Sequence, residues 1–156
     1  MKKLVLTLFL VLGSFTIQAQ ELTWETDINK AIEVSKKTKK PLLLFFTGSN
    51  WCGWCMRLQK EVLKTPEFAK WANQNVVLVE LDYDRGGKAH LPEFQKQNME
   101  LLQLFAVQGY PTIWFTNVTQ IDGKVNFEQL GKTGYVAGGP EAWITGANQI
   151  LANKKS

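Results

Sequence analysis

Residues 41–55 read Pro41-Leu42-Leu43-Leu44-Phe45-Phe46-Thr47-Gly48-Ser49-Asn50-Trp51-Cys52-Gly53-Trp54-Cys55. Leu42 to Phe46 is a continuous apolar run between a proline and Thr-Gly-Ser-Asn turn material, which predicts a short strand buried on both faces. After Cys52 the period changes. Met56, Leu58, Val62 and Leu63 recur at helical spacing, so a helix begins where the cysteines stand. The pair therefore sits at a strand-to-helix junction. There the unpaired N–H groups of the first helical turn and the positive end of the helix dipole favour an anion.

Two cysteines separated by two residues admit four chemistries. A closed zinc site needs four nitrogen or sulfur ligands, and the chain offers two cysteines and the single histidine His90, leaving it one ligand short. Covalent haem needs histidine directly after the second cysteine, where this chain has Met56. A purely structural bridge gains most by closing a long loop; this one encloses only Gly53 and Trp54. A redox-active dithiol fits the position best. Cys52 at the helix start is the thiolate that attacks, and Cys55, one turn on and more shielded, resolves the mixed disulfide.

Outward from this segment the chain alternates helix and strand. Trp24, Ile28, Ala31, Ile32 and Ser35 place one stripe on a helix from Trp24 to about Lys37. Thr65-Pro66-Glu67 supplies an N-cap followed by proline at the first helical position, opening a helix over residues 67–75. Strands are expected at 76–81 and 112–115, and a long helix at 91–106. Asp122-Gly123 reads as a tight hairpin turn returning into a strand at 125–130. A last helix begins near Gly138-Gly139-Pro140-Glu141, with Trp143, Ala147, Ile150 and Leu151 facing inward. Strands separated by helices, closed by a hairpin, predict one α/β domain: a three-layer sandwich with a central mixed sheet flanked by helices.

Residues 1–19 read differently. Lys2-Lys3 precedes a nearly unbroken apolar run from Leu4 to Ile17, then Gln18-Ala19-Gln20. This is the pattern of a secretory signal peptide cleaved after Ala19. A run of about 14 residues is short of the roughly 20 that span a bilayer. The mature part, residues 20–156, is then one exported domain, periplasmic or secreted, with no membrane span and expected as a monomer. Removing Lys2 and Lys3 takes the 18 basic residues to 16 against 14 acidic ones. The cluster Lys36-Lys37-Thr38-Lys39-Lys40 reads as a solvated helix C-terminus that complements the dipole, so no nucleic-acid partner is expected. Asp82 and Asp84 read as strand-end and turn residues, and no metal site is expected.

The strand Leu42–Phe46, the segment Trp51-Cys52-Gly53-Trp54-Cys55 and the downstream Gly109-Tyr110-Pro111-Thr112 resemble, in this order, the thioredoxin superfamily. They are most similar to its exported members carrying a WCGWC motif. The resemblance runs from about Trp24 to Leu151. It implies a thioredoxin-like fold and a thiol–disulfide oxidoreductase with no cofactor beyond its own Cys52–Cys55 disulfide. It further implies a cis peptide at Tyr110–Pro111 facing the cysteines, and backbone groups of Tyr110 offered to an extended substrate. Trp51, Gly53 and Trp54 join Tyr110 and Pro111 as expected substrate-binding residues, with Trp54 facing solvent. The partners implied are protein thiols and disulfides, and a membrane electron donor or thiol reductase.

Three departures stand out. Gly53-Trp54 replaces thioredoxin's Gly-Pro, and Leu44-Phe45-Phe46 lacks its buried aspartate, leaving water or Glu61 to serve the resolving cysteine. The segment between Asp82 and Leu101 is enlarged. With no histidine between the cysteines, a reductase is the expected direction. The alternatives are a disulfide isomerase or oxidase, or a non-catalytic, chaperone-like module that binds clients.

Overall fold

The computed structural model describes residues 21–86 and 92–153. The signal segment expected at 1–19, His90 and part of the enlarged 82–101 segment lie outside the described residues. The element order is β1 (Trp24–Glu25), α1 (Ile28–Thr38), β2 (Leu42–Thr47), α2 (Gly53–Leu58), a π-helical turn (Gln59–Leu63), α3 (Pro66–Asn75) and β3 (Val77–Asp82). It continues with α4 (Pro92–Leu104), β4 (Thr112–Ile121), β5 (Lys124–Thr133) and α5 (Gly139–Leu151).

The five strands form one mixed sheet in the order β1-β3-β2-β4-β5. β2 runs parallel to β3 and antiparallel to β4. Every residue of β2 is buried, and its period of two divides the core. Leu43 and Phe45 face one layer with Leu58, Val62, Phe68, Trp71 and Trp143. Leu42, Leu44 and Phe46 face the other, with Ile28, Ala31, Ile32, Leu101 and Phe105. The sandwich has three layers because β2 is apolar in both phases.

The first helix starts later than its apolar stripe suggests. Asp27 has extended geometry and its carboxylate accepts the Asn29 N–H, capping α1 at Ile28. Trp24, four residues earlier, instead lies in a strand opposite Leu78. Its ring packs on Phe45 and Phe68, with centroids 5.9 and 6.5 Å away. Spacing of 24, 28, 31 and 32 suits a helix, but Asp27 ends the stripe from within. The β4–β5 hairpin is longer than expected at both ends. Asp122 and Gly123 have φ of 50° and 74°, the two positive angles of a type I′ turn. Trp143 and Ala147 of α5 are fully buried, while Ile150 and Leu151 pack half-buried against the same core.

Candidate active site

β2 ends at Thr47 and α2 begins at Gly53, so five residues must turn the chain from a buried strand to a helix. Gly48 makes that turn possible. Its carbonyl accepts the N–H groups of Trp51 and Cys52, at 3.3 and 2.9 Å. A Cβ at Gly48 would stand only 2.6–2.7 Å from Trp51 Cζ2 and Nε1, so the indole lies where any side chain would be. Asp82, at the end of the neighbouring strand, accepts the Ser49 N–H at 2.8 Å. The aspartate read from sequence as a strand-end residue thus also fixes the loop that carries the cysteines.

Cys52 is the N-cap of α2, and its Sγ accepts the Cys55 N–H at 3.2 Å. The two sulfurs form a disulfide with Cα atoms 5.2 Å apart. Cys52 retains 6% of its surface and Cys55 none, so an incoming sulfur can meet only Cys52. Leu58 and Gln59 remain right-handed helical, which carries α2 directly into the π turn closed by Lys64 N–H to Gln59 O. The helical segment from Gly53 to Leu63 thus presents its N-terminal N–H groups to Cys52.

Trp51 is half-buried and joins separate parts of the chain. Its Nε1–H donates to Tyr83 O at 2.8 Å, and its ring meets Tyr110 edge-on at 5.4 Å. Tyr110 in turn packs on Tyr83 at 5.4 Å, and burial pushes both phenols above their ordinary range. The Tyr110–Pro111 bond is cis. Trp51 and Tyr110 are thereby brought together against the core cluster that includes Cys52 and Cys55, although 59 positions separate them in sequence, and Pro111 follows Tyr110 directly.

Gly53 and Trp54 lie on the outer face. A Cβ at Gly53 would meet nothing within 4 Å, so the surface beside Cys52 is left bare. Trp54 keeps 56% of its surface exposed, yet it is fixed. Its ring lies 5.1 Å from Tyr135, and the Arg57 guanidinium sits 5.4 and 5.1 Å from the Trp54 and Tyr135 rings. Glu61 completes the cluster, accepting from Arg57 Nε at 2.7 Å and from Tyr135 Oη at 2.6 Å. Both oxygens of the carboxylate suggested as a proton partner for Cys55 are therefore engaged by Arg57 and Tyr135. The Tyr135 hydrogen bond, followed by that of Arg57, holds Glu61 below the usual carboxylate range, and the Tyr135 phenol is raised in return.

Because this native carboxylate titrates low, whatever the cluster adds to stability is complete above the unfolded value near pH 4.3. It is lost as pH falls through the lowered native value. Tyr135→Phe removes the larger cause, so the Glu61 titration should move up toward its ordinary value in carboxyl-carbon NMR. An unmoved titration would assign the shift to Arg57 alone.

Tyr83, Tyr135, Asn50 and Arg85 were not singled out from sequence. Asn50 and Arg85 exchange two hydrogen bonds across 35 positions, and Tyr135 reaches Glu61 across 74. Neither pairing leaves a local pattern. Among the described residues no group of three or more histidine, cysteine, aspartate or glutamate side chains is placed to hold a metal.

A disulfide at the junction of a central buried strand and a helix, with one cysteine retaining a sliver of exposed surface and its partner none, defines a thiol–disulfide oxidoreductase of thioredoxin architecture. The chain belongs to the thioredoxin-like domain family, whose profile matches residues 28–134. Over 136 residues it is 38% identical to the disulfide bond reductase DsbH of Chlamydia pneumoniae, covering 86% of this chain and 76% of that protein. A solved DsbH oxidoreductase superposes with a TM-score of 0.74 at 33% identity, covering 95% of this chain and 96% of the other. An 89-residue stretch, 57% of this chain, is 33% identical to 13% of the thiol:disulfide interchange protein DsbD of Vibrio vulnificus.

Proposed function

We propose that this protein is exported by its N-terminal signal segment, residues 1–19, and reduces disulfides of protein clients outside the cytoplasm. The observation that carries the reading is the unequal burial of the two cysteines, with Cys52 retaining 6% of its surface and Cys55 none. In the reduced protein the Cys52 thiolate attacks one sulfur of a client disulfide. A Cys52–client S–S bond forms, the client S–S bond breaks, and the expelled client thiolate takes a proton. Cys55 then loses its proton and attacks Cys52 Sγ, releasing the second client thiolate and closing the Cys52–Cys55 disulfide. Two electrons pass to the client; the second client thiolate takes the proton given up by Cys55, and the first takes one from solvent. A membrane thiol reductase returns the electrons, and the similarity to part of a DsbD protein supports a donor of that kind.

Client contacts fall to Trp51, Gly53, Trp54, Tyr110 and Pro111. Trp54 offers an apolar face already immobilised by Tyr135 and Arg57, so little side-chain freedom is lost on binding. The direction follows from what stabilises the thiolate. The residues between the cysteines carry no charge, and the Arg57 cation is paired with Glu61. A less stabilised thiolate favours the disulfide form and makes the dithiol the better donor. Equilibration with glutathione should give a reduction potential below about −220 mV, toward the thioredoxin end of the range. A value nearer about −120 to −180 mV would make the protein an oxidase or isomerase.

A further inference from the structure

Arg85 takes no part in sulfur exchange, yet it is fixed to the loop that carries the cysteines. Its backbone N–H donates to Asn50 Oδ1 at 2.9 Å, and Asn50 Nδ2 donates back to its carbonyl at 2.8 Å. Its guanidinium carbon lies 4.5 Å from the centroid of Trp51, the residue directly before Cys52. That ring is itself held by Tyr83 O and packed on Tyr110. A guanidinium over an aromatic face is held by the ring's electrostatics while its planar fork of N–H donors stays available to a second partner. Arg85 is exposed, and the ion pairs among the described residues, Lys30–Glu25, Arg57–Glu61 and Lys96–Glu100, do not include it. The two arginines flanking the disulfide therefore differ. Arg57 is neutralised by Glu61, whereas Arg85 presents its donors at the rim on the Trp51–Tyr110 side.

We propose that Arg85 is a specificity-determining residue that binds a carboxylate borne by the client close to the cysteine under attack, selecting acid-flanked over base-flanked disulfides. The proposal rests on the reductase reading above. Carboxylate is the complementary group because the planar fork accepts it with two parallel N–H···O bonds, while a client lysine would be repelled. Asp84, half-buried one residue earlier, is also acidic, so the preference is expected to depend on direct contact with the guanidinium rather than on net charge. Arg85→Lys, which keeps the charge and loses the fork, should then retain only part of it.

The test uses the reduced protein with three cyclic disulfide peptides that differ only in flanking glutamates, lysines or serines. At low ionic strength kcat/KM for the glutamate peptide should exceed that for the lysine peptide roughly three- to fivefold, the scale of an exposed ion pair. The ratio should approach one at about 0.5 M salt, where screening is nearly complete. Arg85→Gln should abolish it and Arg85→Glu reverse it. A wild-type ratio near one, or a ratio that survives Arg85→Glu, overturns the proposal. The salt dependence of the wild type reads the same preference without any variant. Failure of the wild type to reduce the serine peptide would instead strike the reductase reading.

Discussion

Cys52→Ser should bring the reduction of insulin or a cyclic disulfide peptide down to the uncatalysed background. A hydroxyl does not attack sulfur at neutral pH, and Cys55, with no exposed surface, cannot substitute for it. Cys55→Ser should behave differently. Cys52 still attacks once, but the mixed disulfide must then wait for an external thiol. Well-placed intramolecular groups act at effective concentrations of about 10⁵ M or more, whereas added thiol is millimolar, so the resolving step should slow by about 10⁸-fold and turnover, then limited by that thiol, should fall at least about 10³-fold. The trapped client should appear on mass spectrometry as an adduct on Cys52. Substantial turnover by Cys52→Ser would exclude the assignment of roles, and equal trapping by both variants would remove the asymmetry behind it.

That asymmetry was legible in the sequence because it depends on neighbouring residues. A buried strand, a glycine-containing turn and a helical repeat place Cys52 at the junction and Cys55 one turn inside. The layers of the sandwich were legible for the same reason, since Leu42–Phe46 is apolar in both phases of a strand. What the sequence hid was long-range or competitive. Trp24 satisfies a helical stripe, but a local capping bond at Asp27 overrides it and leaves Trp24 to the sheet. The π turn at Gln59–Leu63 differs from an α-helix by one residue of register and has no composition of its own. Glu61 stands on the active-site helix, as its spacing suggests, but Tyr135 from beyond β5 draws its carboxylate into the Trp54 cluster.

The largest effect on stability is expected at Trp143. This side chain is fully buried against Phe68, Trp71 and Phe115, with ring centroids 5.5–6.2 Å apart. Its Nε1–H donates to Gly134 O at 3.1 Å. Trp143→Ala removes these ring contacts, opens a cavity and strips a part-buried carbonyl of its donor, for a loss of about 3–5 kcal/mol. Against a total of about 5–15 kcal/mol for an ordinary domain, that is a large share. Urea unfolding with the disulfide intact should show the midpoint falling sharply, while Gln149→Ala, exposed on the same helix, should change stability by no more than about 0.5 kcal/mol. A loss below about 1 kcal/mol at Trp143 would mean that α5 is not anchored through this ring.

The unequal exposure of the two sulfurs also bears on damage. Peroxide reaching the reduced protein meets Cys52 first and converts its thiolate to a sulfenic acid. Cys55, three residues away, condenses with it, releasing water and forming the disulfide that client reduction also leaves. Capture by the neighbouring thiol competes with further oxidation to the sulfinic acid, which in most proteins is irreversible. Burial of Cys55 keeps that resolving thiol from being oxidised independently. Oxidative stress therefore returns the pair to the same disulfide state that sulfur exchange leaves, rather than to a dead end.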